Sequence, residues 1–215
     1  MPADERLHVL RSGQPGPGRY VLYWMQQAQR ADANPALDFA VSRANDLGLP
    51  VVVSFGLTAD YPEANHRHYA FMLEGLAEVA DRLHRRGVAF VPLYDRPPRA
   101  ALRLTGDAAL LVCDRGYLRH QRLWRDEVAA HAPCPVTEVE TEVVVPVEAA
   151  SDKAETAART LRPRILRVRD RFLAGPAPVE ARVKARDLDL EADFDPRHGP
   201  AVLDALPLDR SVPPV

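Results

Sequence analysis

A carboxylate, a guanidinium and a glycine, Asp114-Arg115-Gly116, follow the apolar run Leu110-Leu111-Val112-Cys113, with Tyr117 next. In a parallel α/β sheet, groups at the carboxyl end of a strand face the crevice where ligands bind. An Asp in that position also serves turns and helix caps, and residue type alone leaves both readings open. A second polar set, Met25, Gln29 and Arg30, follows the run Tyr20–Trp24, with Asn34 suited to cap a helix. Other chemistry is thinly represented. His66 and His68 suggest a metal pair, but residues two apart on a helix point to different sides. Cys113 and Cys134 form no CxxC or Cys/His pattern, so neither a zinc site nor a disulfide scaffold is expected. A dinucleotide site needs a glycine-rich turn directly after a strand. Gly13, Gly16 and Gly18 instead precede the first apolar run, and residues 26–30 contain no glycine, which disfavours a Rossmann dehydrogenase. Hydrolase chemistry is weak, because no GxSxG elbow exists and neither Ser42 nor Ser54 has a recognisable partner base. Trp24 and Trp124 read as core residues rather than electron relays.

The elements that must position these groups come from periodicity. Tyr20–Met25, Pro50–Phe55, Val88–Leu93, Ala109–Cys113 and Pro135–Val139 are short apolar runs rich in β-formers, the pattern of strands buried on two faces. Helical spacing separates them. The first helix has Asn34 as cap, Pro35 at its first position, a stripe from Leu37 to Leu47 and Gly48 as stop. The second follows Pro62 and ends before Gly87, the third covers Arg99 to Leu104, and the fourth Arg119 to His131. Strands joined by helical crossovers pair in parallel. The expected fold is α/β: a doubly wound, three-layer, Rossmann-like sandwich with a five-stranded parallel sheet.

Composition bounds the rest. The 215 residues are 47% hydrophobic and 27% charged, which fits a folded globular domain plus a tail, and a net charge of −2 gives no global basic field. No stretch has the length of a signal peptide or approaches the roughly 18 uninterrupted apolar residues of a membrane span, so a cytoplasmic address and no membrane partner are expected. The chain divides into an arm over 1–19, an α/β domain over 20–175 and a Pro-rich acidic linker or tail over 176–215. After the fifth strand comes Val143-Val144-Val145-Pro146, then a helix opened by Ser151 or Asp152, with Glu155 placed as in a capping box. This helix is basic: Arg159, Arg162, Arg164, Arg167, Arg169 and Arg171 fall along it, and Pro163 is expected to break or kink it. It reads either as a solvated face or as a surface for another domain or for phosphate. In the tail Asp187, Asp189, Glu191, Asp193 and Asp195 alternate with Leu188, Leu190 and Phe194, as in a linker or a lone extended strand without a core of its own.

The stretches YWMQQAQRADANPAL, RHYAFMLEGL, VCDRGYLRHQRLW and VVVPVEAASDKAETAARTLRPRI resemble, in order and spacing, the N-terminal α/β antenna domain of class II cyclobutane pyrimidine dimer (deoxyribodipyrimidine) DNA photolyases, over about residues 20 to 175. The resemblance implies a domain that holds an antenna chromophore, a deazaflavin, a folate or FMN. That chromophore passes excitation to FAD in an all-helical partner domain, which flips the DNA lesion into its pocket. The helical domain is not among these residues, so no catalytic residue is carried over, and DNA with pyrimidine dimers is expected as a partner only in the complete enzyme. Mapped by topology, the antenna pocket draws on Met25, Gln29 and Arg30, on Phe55, Gly56 and Leu57, and on Asp114, Arg115 and Tyr117. The interface toward the helical domain draws on Arg159, Arg162, Arg164 and Arg167. One departure stands out: where class II members often read Asp-x-His-Asn before Val-Val-Pro, this chain has Glu140-Thr141-Glu142-Val143. Two functions follow: the light-harvesting part of a photolyase, or a free-standing α/β module that binds a flavin-like or nucleotide-like chromophore without repair.

Overall fold

A computed structural model describes residues 4–173, 178–186 and 188–213. The chain order is β1 (Leu7–Arg11), β2 (Tyr20–Trp24), α1 (Pro35–Leu47), β3 (Val51–Leu57), α2 (His66–Arg86), β4 (Ala89–Tyr94) and α3 (Pro97–Arg103). It continues with β5 (Ala108–Asp114), α4 (Arg119–His131), β6 (Val136–Val139), α5 (Val147–Ala150), α6 (Ala158–Val168), α7 (Asp170–Leu173) and α8 (Gly199–Asp204). The strands form one sheet in the order β1-β6-β5-β2-β3-β4, in which β2 to β6 run parallel. The chain moves outward through β3 and β4, returns to place β5 beside β2, and moves outward the other way to β6. The direction therefore switches between β2 and β5. The doubly wound α/β sandwich read from the sequence is the fold observed.

The alternation of side chains explains the layers. Val21, Tyr23, Val51 and Val53 meet Leu37, Val41 and Leu83 of α1 and α2 on one face. Tyr20, Leu22, Trp24 and Leu111 meet Ala100, Ala101 and Val128 of α3 and α4 on the other. Helix ends follow local chemistry. The Asn34 side chain accepts from the Ala36 and Leu37 N–H groups, and Gly48 closes α1 at a φ of 68°. At α2, Asn65 and His68 form a reciprocal capping box, so His68 has a structural task.

The sheet has six strands, not five. Part of the expected arm, Leu7–Arg11, pairs antiparallel with β6, with a bulge between Val9 and Arg11. This strand lies at the sheet edge, half covered and strongly exposed at Val9, so it lacks the continuous apolar run that marked the others. Ser151 does not open a helix: its hydroxyl donates to Glu155, and α6 begins at Ala158. That helix runs through Pro163 without a break. Residues 174–177, where the expected domain boundary falls, and Asp187 lie outside the described residues.

The remaining tail is a strap against the domain, not an isolated linker. Val179 and Ala181 join the α1–α2 face, Leu188 and Leu190 the α3–α4 face, and Phe194, Val202 and Leu203 pack beside α2. Each apolar residue borrows a different part of the existing core, which is why the tail showed no core in sequence. Two of its acidic groups are paired: Asp193 accepts from Arg103 at 2.7 and 3.1 Å and from the Tyr94 N–H at 2.9 Å, and Asp195 accepts from Arg197 at 2.9 Å. No helix among the described residues is long and apolar enough to cross a membrane.

Candidate functional site

At the carboxyl edge of β2 and β3 lies a cavity of about 470 Å³, a size suited to a small-molecule site. Five residues expected at the pocket, Met25, Gln29, Phe55, Gly56 and Leu57, line it. Gly56 permits this geometry by letting β3 approach α3, since a Cβ there would stand 2.7 Å from the Pro97 Cα. Arg30, Asp114, Arg115 and Tyr117 are not among the lining residues.

Asp114 lies beneath the loop that shapes the cavity. It is fully buried; one carboxylate oxygen accepts from the backbone N–H groups of Gln26, Gln27 and Ala28 at 2.9, 2.9 and 3.1 Å, and the other accepts from the Tyr23 hydroxyl at 2.7 Å. Burial raises its pKa, and the hydrogen bonds oppose that shift. At the switch between β2 and β5, where a ligand was expected, Asp114 thus ties the β2–α1 loop to β5. Asn34 adds a bond from its amide to the Tyr23 hydroxyl at 3.1 Å.

Arg115 turns the other way. Its guanidinium meets Glu138 at 3.3 Å, Glu140 at 2.7 Å and Glu148 at 2.9 Å, and Glu140 also accepts from the Val147 N–H at 2.9 Å. Arg125, buried beside it, pairs with Glu138 at 2.7 Å. Burial and the neighbouring Glu140 push the Tyr117 hydroxyl up to about 12. Arg30 pairs with Glu142 at 2.7 Å and donates to the Thr141 carbonyl at 3.0 Å, so the divergent Glu140-Thr141-Glu142 sequence is tied into this ionic region. Arg159, Arg162, Arg164 and Arg167 stand on α6, a helix with no buried residue; Arg164 pairs with Glu155 at 2.8 Å.

The other cavity walls escaped the sequence reading. Tyr61, Tyr69, Met72, Gln121 and Trp124 line it, and Tyr61, His120 and Trp124 meet edge to face with ring centroids 4.9 to 6.1 Å apart. The Gln121 amide accepts from the Leu118 N–H at 3.2 Å. Gly116 makes room for that amide, because a Cβ there would stand 2.4 Å from its oxygen. Helical spacing of Gln121 and Trp124 on α4 was the available signal; Tyr61 lies in a loop without periodicity. Four glutamines, Gln26, Gln27, Gln29 and Gln121, line the cavity beside its aromatic and aliphatic walls; Gln29 donates to the Gln26 carbonyl at 3.1 Å and Gln27 to the Gln121 amide oxygen at 3.4 Å, while the solvent-shielded Gln26 amide nitrogen has no partner among the described residues. Such a surface can stack a flat heteroaromatic ring and present donors and acceptors to its edge.

These features define a doubly wound α/β domain with a ligand-sized cavity at the carboxyl edge of its sheet. The chain belongs to the DNA photolyase family, whose sequence model matches residues 21–184. It is 46% identical over 189 residues to a deoxyribodipyrimidine photo-lyase of Methanothermobacter thermautotrophicus, covering 87% of this chain and 42% of that protein. It is 35% identical over 162 residues to the deoxyribodipyrimidine photo-lyase of Potorous tridactylus, covering 74% of this chain and 30% of that one. The chain thus spans less than half the length of these curated relatives. An archaeal photolyase structure from Sulfolobus tokodaii, with two FAD molecules, shares the fold with a TM-score of 0.59 at 14% identity, over 69% of this chain and 35% of that one.

Proposed function

We propose that this chain is the light-harvesting N-terminal domain of a class II cyclobutane pyrimidine dimer photolyase. It supports blue-light repair of DNA together with a helical FAD-binding domain. The observation that carries the reading is the cavity itself: aromatic and aliphatic walls with four glutamines at the carboxyl edge of the sheet. These residues fit a flat, hydrogen-bonding chromophore such as a deazaflavin, a folate or FMN. When bound, that group absorbs near-ultraviolet or blue light and supplies excitation to the flavin of the partner domain. Met25, Phe55, Leu57, Tyr69 and Met72 would exclude water from the ring, while Gln26, Gln27, Gln29 and Gln121 would orient its polar edge. Asp114 would act indirectly, by fixing the loop that carries three of those amides. The Sulfolobus tokodaii photolyase, whose structure holds two FAD molecules and implies a light-harvesting cofactor in that protein, supports the same reading here. Arg159, Arg162, Arg164 and Arg167, on a helix with no fully buried residue whose Ile165 and Val168 pack against Val145, Ala150 and Phe172, would face the helical domain.

Titrating the purified chain with a deazaflavin, a folate and FMN, followed by absorption and fluorescence, tests the reading. Saturable, near-stoichiometric binding of one of them is the expected result. Binding of none, with the fold intact by circular dichroism, would overturn it.

A further inference from the structure

The wall of the cavity and the end of the strap share one apolar cluster. Phe55, Leu57, Tyr69 and Met72 line the cavity and pack with Val202 and Leu203 of α8 and with Leu206 and Leu208 beyond it. Tyr61 and Ala64, in the rim loop over residues 58–65, join the same cluster. The strap also grips the far end of that loop through backbone, because the N–H of His66, the first residue of α2, donates to the Asp209 carbonyl at 2.8 Å. Asp209 is fixed in turn: its carboxylate accepts from the Ser211 N–H at 2.8 Å and from the Ser211 hydroxyl at 3.0 Å. Arg210 ties the turn back to the Leu203 carbonyl at 3.1 Å.

At its near end the rim loop is held by the Tyr69 hydroxyl on the Thr58 carbonyl, at 2.6 Å, by an Asp60 N–H on the Thr58 hydroxyl, and by the contacts of Tyr61 with His120, Gln121 and Trp124. Between the two ends, Glu63 sits at a φ of 60°. That left-handed conformation is unfavourable for a side-chain-bearing residue and persists where the surroundings hold it. The loop is therefore a segment with local strain, held at one end by the cavity wall and at the other by the Asn65–His68 capping box of α2, against which the strap docks through His66.

We propose that residues 206–209 act as a latch on the rim of the cavity. With the latch docked, Tyr61 and Ala64 stay in their wall positions; with the latch released, Glu63 relaxes and the loop over residues 58–65 swings off the cavity. A ligand that needs the closed wall binds more tightly when the latch is docked, and by reciprocity it holds the latch down. The coupling to ligand rests on reading the cavity as a chromophore site, whereas the contact between latch and rim can be tested without any ligand.

The test uses the full chain and the double variant Leu206→Ala/Leu208→Ala, with Leu208→Met as the conservative control, followed by amide hydrogen exchange and mass spectrometry. Without ligand, amides 61–66 should exchange at least about tenfold faster in the double variant and at the native rate in Leu208→Met, while amides 51–57 of β3 stay unchanged. With FMN as probe, the dissociation constant should rise about fivefold in the double variant, the low end of ordinary coupling between sites. Saturating FMN should slow exchange at 206–211 in the native chain. Unchanged exchange at 61–66 overturns the latch whatever FMN does, and equal loosening of β3 and rim overturns it as a separate element. A faster rim with an unchanged FMN constant overturns the coupling. Failure of FMN to bind the native chain counts against the flavin reading of the cavity, and the ligand-free exchange still decides the latch.

Discussion

The carboxyl edge of the sheet treats its polar residues in two ways. Over β5 and β6 they bind one another: Arg115 bridges three carboxylates, Arg125 takes a second oxygen of Glu138, and the fully buried Glu140 receives both a guanidinium and a backbone N–H. Over β2 and β3 four glutamine amides line a cavity, with Thr58, Glu63 and His68 contributed by the loop and helix that follow β3. A closed ionic network holds geometry and leaves little capacity for a ligand, while uncharged amides beside aromatic rings can be desolvated at modest cost and rearranged around a ring. Asp114 sits on the boundary, drawn from the ionic strand but bonded to the amide loop. Charge at a strand end therefore marks the scaffold around the cavity, and the neutral residues one strand away line the surface proposed here to meet a chromophore.

The largest change should come from Asp114→Ala, which removes the boundary itself. Three backbone N–H groups and the Tyr23 hydroxyl lose their acceptor, and each buried donor left alone costs about 1–3 kcal/mol, so a loss of about 4 kcal/mol or more is expected in denaturant unfolding. FMN binding should weaken with it. The pH dependence has a definite sign: burial holds the Asp114 carboxyl above the ordinary carboxylate range, so the native state holds the proton more tightly than the unfolded chain does. Its contribution to stability is fully present below the unfolded value and declines as pH rises through the raised folded one. Comparing urea midpoints of native chain and Asp114→Ala across the acid range reads this difference.

Arg115→Ala should destabilise by about 3 kcal/mol, because it strips a fully buried carboxylate of its ion-pair partner, while FMN affinity stays within twofold. A large loss of affinity in the folded variant would erase the distinction between the two regions. Met72→Trp should show the reverse pattern, filling the cavity and weakening FMN at least about tenfold while unfolding free energy shifts by no more than about 1 kcal/mol, since Met72 is only partly buried. The smallest effect is expected from Tyr61→Phe. It removes contacts to His120 and Gln121 that are 3.2 and 3.4 Å long, worth about 0.5 kcal/mol, and FMN affinity should change by less than threefold.

The sheet was legible because strands buried on both faces must be apolar throughout; Val51–Leu57 and Ala108–Asp114 are buried at every position. Helix limits were legible where caps are chemical, as at Asn34 and Gly48. The edge strand Leu7–Arg11 was not, since one neighbour and partial cover demand no continuous run. The strap failed for a related reason: Leu188 and Phe194 are apolar for the sake of residues far away in sequence, and period alone does not name a distant partner. At the site, sequence order found the strand ends but not which side chains turn inward. Asp114 and Arg115 are adjacent, yet one ties the β2–α1 loop and the other joins the ionic network. Tyr61, in an irregular loop, becomes a wall through tertiary packing, against His120 and Trp124 and within the apolar cluster that also holds Leu206 and Leu208.

Pro92 lies in β4, the last strand on its side of the sheet, and its carbonyl accepts from the Asp193 N–H of the strap at 3.0 Å. A residue's N–H and C=O point to the same side of a strand, so the outward position that would offer a donor holds an imino nitrogen instead. The strap occupies the acceptor beside it, and on the opposite flank β1 covers β6. Bare strand edges are templates on which other chains add. Proteolytic nicking of the strap near Asp193 would therefore matter for colloidal behaviour as well as for the fold: freed of its cover, β4 would expose outward N–H and C=O groups to neighbouring molecules, and Pro92 would interrupt that row by offering no donor.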